Sequence, residues 1–232
     1  MPAFIWTRQI ETFSAGWRVI ALDPRGQGQS QVAADGYEPV RRGRDIAELI
    51  DHLGVDKVVL VGWSLGVLDA LAMIAAGGAP RVAGLVLVDN SVGEGPAPTR
   101  PPASVAKAGR ARPTCDEALM RQFVAGLFVT AQDAAFIQAL TQATLITPKW
   151  AADRLRRYDV PRVFWKTTLY ATQMPVLYVV RPRWRAQAES VVRNHPQAET
   201  SIFEGAGHAL FVDEPERFNA LVLDFLHRRV WP

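Results

Sequence analysis

Cysteine is all but missing. Cys115 is the only one in 232 residues, so the chain can form no internal disulfide and no cysteine-built metal centre. Long hydrophobic runs are missing too: none approaches the ~20 apolar residues that a membrane-spanning helix needs. The opening MPAFIWTRQIETF has no basic stretch followed by an apolar core, so it does not read as a secretory leader. The placement expected is cytoplasmic. Excess charge of one sign is small, with 26 basic residues against 23 acidic ones and a net charge of +3. The basic residues are scattered, which suits a solvated surface and not a nucleic-acid footprint. There is no internal repeat and no long low-complexity tract.

What is present is a regular alternation. WRVIALD (17–23), KVVLVG (57–62), GLVLVD (84–89), PVLYVV (175–180) and TSIF (200–203) are short and nearly continuously apolar. That is the pattern of strands buried on both faces. Between them, Ile46, Leu49, Ile50 and Leu53 recur at helical spacing and Gly54 follows as a stop. LGVLDALAMIAA (65–76) reads as a second helix, ended by Gly77 and Gly78. Strands alternating with helices predict an α/β fold, a mostly parallel sheet with helices on both faces, in a chain of single-domain length.

One region breaks the rhythm. Pro96, Pro98, Pro101 and Pro102 mark a linker, and residues from about 104 to 170 contain helix-like segments without a convincing strand. The expected organisation is therefore a core of 1–95 and 171–232, with 96–170 inserted as a helical lid. Phe123, Leu127, Phe128, Phe136, Leu140, Trp150 and Trp165 of the lid are apolar enough to line a pocket, with Trp150 and Trp165, together with Trp63 of the core, as the expected aromatic lining. The same side chains could instead pack a small core of the lid itself.

Gly62-Trp63-Ser64-Leu65-Gly66 lies between the run VVLV and the helix that follows. A tight strand-to-helix turn there would hold Ser64 in an exposed, strained position, and the helix start would offer the Leu65 N–H to an oxyanion. A bare G-x-S-x-G also occurs as a structural turn; its place between strand and helix is what favours a nucleophile. A serine needs a base. Of the four histidines, His52 and His227 suit surface or packing roles, and His195, before Pro196, suits a turn. His208 lies in EGAGHALFVDEPERF, a glycine loop after the last strand, from which an imidazole can reach across the strand ends.

Together these residues resemble the α/β-hydrolase superfamily. Asp23-Pro24-Arg25-Gly26-Gln27-Gly28-Gln29-Ser30 resembles its D-x-R-G-x-G-x-S turn, GWSLG its nucleophile elbow and GAGH its histidine loop. The resemblance implies cofactor-free hydrolysis of a small acyl compound such as an ester, lactone, thioester or amide, or of a carbon–carbon bond. Dehalogenases and epoxide hydrolases of this fold carry aspartate at the elbow, so Ser64 argues against both. A non-catalytic binding protein of the same fold and a cofactor-free perhydrolase are the alternatives.

There are two departures from the pattern. The chain opens inside what resembles the first helix, FIWTRQIETF, so the strands that precede it in the superfamily, and the loop that gives a second oxyanion donor, have no counterpart. The expectation is that an upstream segment is missing and that the chain is unstable without it, or else that 17–23 pairs directly against 57–62. The second departure is the acid. Its common place is the loop after PVLYVV, but VVRPRWRAQ (179–187) has three arginines and no carboxylate. Some members place the acid one strand earlier. Here that position is Asp89, expected to orient His208, with Glu94 and Glu189 as weaker candidates. Asp89 as a mere turn cap is the competing view.

Overall fold

The computed structural model describes residues 1–95 and 117–231; Pro96, Pro98, Pro101, Pro102 and Cys115 lie outside the described residues. Four of the five apolar runs form strands: β1 (Val58–Trp63), β2 (Val82–Val88), β3 (Val176–Val180) and β4 (Ala198–Ile202). All pair in parallel, in the order β1-β2-β3-β4. The first half contributes helices α1 (Thr7–Phe13), α2 (Pro39–His52) and α3 (Leu65–Met73). The segment between β2 and β3 contributes α4 (Glu117–Ala125), α5 (Ala134–Leu145), α6 (Lys149–Leu155) and α7 (Val163–Tyr170). The end of the chain adds α8 (Arg185–Asn194), α9 (Leu210–Asp213) and α10 (Pro215–Phe225).

The continuous apolar runs are explained by burial on both sheet faces. Val86, Val88, Leu177 and Val179 pack with Phe13, Phe211, Phe218 and Phe225 on one face. Leu85, Leu87, Val176, Tyr178 and Val180 pack with Val67 and Leu71 of α3, Trp165 and Leu169 of α7 and Val191 of α8 on the other. Successive strand residues point to opposite faces, so both sets must be apolar. The segment from residue 117 to β3 shares these two layers. Val124, Leu127 and Leu140 join the first and Trp165 and Leu169 the second, while Ala151 and Leu155 of α6 pack against Tyr37.

WRVIALD is not a strand. Residues 18–23 run without a ladder partner, and Ile20 and Leu22 stay 42% and 39% exposed. β-branched composition makes a segment suited to a sheet, but a strand exists only where a neighbour takes its N–H and C=O groups. The direct pairing of 17–23 with 57–62 is not formed, and β1 is an edge strand with Val61 40% exposed. TSIF is displaced by two residues, since β4 begins at Ala198.

His195 is buried behind this sheet, with Nε2 2.8 Å from Thr172 Oγ1. The Thr172 hydroxyl donates to Leu169 O at 2.8 Å, so it accepts from Nε2–H, and Nδ1 is left buried without a partner. Burial holds the His195 imidazole below its ordinary value. Because the folded value is depressed, the stability it contributes is complete above the free-histidine value of about 6.5 and is lost as the pH falls below it. The unfolding midpoint should therefore drop on acidification from about pH 7 to about pH 5, and less so in His195→Gln. Thermal scans giving equal losses in both proteins would assign that acid sensitivity elsewhere.

Candidate active site

Ser64 sits between β1 and α3 with φ 54° and ψ −119°. L-residues rarely adopt this region, at a cost of order 1–3 kcal/mol. Three contacts enforce it. The Ser64 N–H donates to Val88 O at 2.9 Å, Asn90 Nδ2 donates to Ser64 O at 2.7 Å, and Ser64 O also accepts from Val67 N at 3.1 Å. The two glycines of the elbow differ in purpose. A Cβ on Gly62 would meet Gly66 O at 2.5 Å, whereas one on Gly66 would meet nothing within 4 Å. Leu65 opens α3, so its N–H is one of the first-turn donors left without a helical acceptor.

His208 and Asp89 come to the same strand ends. His208 Nε2 is 2.9 Å from Ser64 Oγ, and Nδ1 is 2.6 Å from Asp89 Oδ2. An ionised carboxylate can only accept, so Nδ1 carries the proton and Nε2 is free to accept from the serine hydroxyl. Asp89 follows β2 at φ 47°, a conformation that aspartate and asparagine tolerate better than most side chains. Its carboxylate is fully buried and also takes Arg181 Nε on Oδ2 at 2.6 Å and Arg181 N on Oδ1 at 3.0 Å. Burial pushes the Asp89 carboxyl up, but the hydrogen bonds from His208 and the Arg181 backbone, with the charge of Arg181, outweigh it and hold it below the usual carboxylate range. Arg181 Nη2 lies 3.4 Å from His208 Nδ1. Both are donors there, so they converge on one carboxylate and do not bond each other.

The histidine loop is fixed from two sides. Trp63 Nε1 donates to His208 O at 2.7 Å and its ring lies 5.0 Å from the imidazole, with Phe211 edge-on beyond it. Asp213 accepts from Gly207 N at 2.7 Å and, across the cleft wall, from the N–H groups of Val129 and Thr130 at 3.0 Å each. Ala209 N donates to Leu127 O at 3.0 Å. A side chain on Gly207 would strike that same Leu127 O at 2.5 Å, so glycine is obligatory there.

A cleft of about 540 Å³ opens above Ser64 and His208. Its walls are Asn90, the α4 side (Gln122, Phe123, Gly126 and Leu127) and the loop after β3 (Arg181, Arg183 and Trp184). Of the expected lining, Phe123 and Leu127 stand on the cleft wall, and the three tryptophans are placed elsewhere. Trp63 buttresses His208 from beneath. Trp165 is buried in the layer that holds α3 and α7, edge-on to Phe164. Trp150 stands edge-on to Tyr37 at 5.6 Å. A helical aromatic announces that it will pack, but not against what. The weaker acid candidates lie elsewhere: Glu94 accepts from Tyr170 Oη at 2.6 Å, and Glu189 is exposed on α8. The turn at 23–30 is self-braced, with Asp23 accepting from Gln29 N at 2.9 Å, and it does not reach the cleft. Arg181 is the participant that the sequence did not point to.

Comparison with known proteins bears on the family. The profile described as the alpha/beta hydrolase family matches residues 1–221. A non-heme haloperoxidase of Rhodococcus erythropolis is 41% identical over 73 residues, 32% of this chain and 27% of that protein. The dihydrolipoyllysine-residue acetyltransferase component of the acetoin cleaving system of Pseudomonas putida is 30% identical over 96% of this chain and 60% of its own length. The chain thus spans less than two thirds of either relative. The crystal structure of an esterase from a Rhodococcus species superposes with a TM-score of 0.79 at 24% identity, covering 99% of this chain and 87% of that one. Among the described residues no helix is long and apolar enough to cross a membrane. With the parallel sheet, the elbow and the histidine loop in one arrangement, the chain belongs to the alpha/beta hydrolase family.

Proposed function

We propose that this chain is a serine hydrolase of carboxylic esters or related acyl compounds, working through an acyl-enzyme. The observation that carries the reading is the unbroken relay from Ser64 Oγ through His208 to Asp89, with contacts of 2.9 and 2.6 Å. Ser64 Oγ attacks the acyl carbonyl while His208 Nε2 takes its proton. The negative charge that develops on the carbonyl oxygen faces the N–H of Leu65 at the head of α3. His208 then returns the proton to the leaving alcohol, and water, activated by the same nitrogen, releases the acid. Asp89 keeps the imidazole in the required tautomer and stabilises the imidazolium. A serine at the elbow sets this chemistry apart from reactions that begin with an aspartate nucleophile. The segment 96–170 serves as a lid, of which the α4 end forms the cleft wall.

The similarity to a haloperoxidase favours one second reading, perhydrolysis. There hydrogen peroxide, in place of water, attacks the same acyl-enzyme and releases a peracid.

A fluorophosphonate probe tests the reading directly. Folded protein should be labelled stoichiometrically, with the adduct on the peptide containing Ser64. Folded protein that stays unlabelled would instead identify a binding protein that has kept the family's fold.

A further inference from the structure

The loop after β3 carries Arg181 and Arg183, and Arg185 opens α8. Two of these charges are spent. Arg181 is paired with Asp89 at 2.6 Å, and Arg185 is paired with Glu204. Arg183 has no acidic partner among the described residues, yet it forms part of the cleft wall. Its guanidinium lies over the Trp184 ring, 4.7 Å from the centroid, a cation–π contact that restrains a long side chain before any ligand arrives. Among the described residues, the only carboxylate on the cleft wall is Asp89, whose side chain is 0% exposed and already accepts from His208 and Arg181. The remaining polar walls, Asn90 and Gln122, are neutral. Among the described residues, a substrate above Ser64 therefore meets a positive charge on the wall that no carboxylate offsets, in a concave site where field lines concentrate.

We infer that the cleft selects acyl substrates that carry a carboxylate away from the scissile bond, and that Arg183 is the group that binds it. The inference rests on the serine-hydrolase reading above and names its substrate class. A guanidinium offers a carboxylate two parallel N–H donors, which is geometry as well as charge. The placement also suits the chemistry: the anion sits on the rim, so its charge does not oppose the oxyanion forming at Leu65.

Two matched pairs of esters test this. In one the carboxylate is on the acyl side: para-nitrophenyl hydrogen adipate against para-nitrophenyl hexanoate. In the other it is on the alcohol side: para-acetoxybenzoate against its methyl ester. In at least one pair, kcat/KM should favour the anion by about tenfold or more, the scale of one charge-assisted hydrogen bond. The preference should shrink between about 0.01 M and about 1 M salt. In Arg183→Gln the ratio should fall towards one, and in Arg183→Glu it should invert. Because each ratio is taken within one protein, partial misfolding of a variant cancels. Hydrolysis of the neutral esters with no anionic preference in either pair, or a preference unchanged in both variants, overturns the inference and leaves the serine-hydrolase reading standing. No hydrolysis of any of the four esters, with no fluorophosphonate labelling, overturns both.

Discussion

Replacing Ser64 by alanine is expected to lower turnover of an aryl ester by about a millionfold, because on the proposed reading the residue removed is the one that forms the covalent intermediate. The fold should survive. The hydrogen bonds that shape the elbow run through the backbone of Ser64 and the side chain of Asn90, and among the described residues the Ser64 side chain hydrogen-bonds only to His208. Alanine keeps the unfavourable φ of 54°, so no large gain in stability should follow either; glycine at 64 would relieve it. Steady-state assay of purified Ser64→Ala, with circular dichroism to verify folding, gives the answer. A near-wild-type rate would place the chemistry outside this elbow.

Asp89→Asn carries the second largest effect, a loss of roughly ten-thousandfold in turnover with substrate binding little changed. The substitution is unusually clean. Asparagine accepts the φ of 47° as readily as aspartate, so the backbone at the end of β2 has no reason to move. The change is confined to what the side chain can accept. Arg181 donates to both carboxylate oxygens, through its backbone N and its Nε. An amide facing those donors and His208 cannot satisfy all three, and its NH2 group turned towards Nδ1 favours the tautomer with the proton on Nε2, which can no longer accept from Ser64. Glu189→Gln on α8 is the control and should leave the rate near wild type. Full activity in Asp89→Asn would remove Asp89 from the mechanism.

The legibility of this site in the sequence followed locality. Ser64 and His208 announce themselves because the elbow and the glycine loop are built from contiguous residues with special backbone needs. Gly62 and Gly207 are glycines for reasons of contact at 2.5 Å that no other residue escapes. Asp89 was legible as the residue ending a recognisable strand. Arg181 was not, because reasoning on charge asked whether an arginine could accept from His208, and it cannot. Its part is to donate to the acceptor, a relation visible only once the ends of β2 and β3 lie side by side. The run 17–23 has the composition of a strand and lacks a partner; strand partners are remote in sequence, and composition does not count them. Trp150 and Trp165 were misplaced for a similar reason: a helix's apolar residues say that it packs, while the layer it joins depends on the path of the whole chain.

The clamp between the histidine loop and residues 127–130 gives the two ends of the α4-side wall unequal stiffness. Phe123 is 56% exposed, so its ring has room to move. Leu127 is tethered, because its carbonyl holds Ala209 and its neighbours Val129 and Thr130 hang on Asp213, which also grips Gly207. Bulk pressed against Phe123 is absorbed as a looser fit and should be felt in KM. Bulk pressed against Leu127 is transmitted as a lever to the imidazole, drawing Nε2 away from Ser64, and should be felt in kcat. On the serine-hydrolase reading, an oversized substrate on that side should thus be admitted and then left unprocessed, a form of discrimination exercised after binding and not at the door.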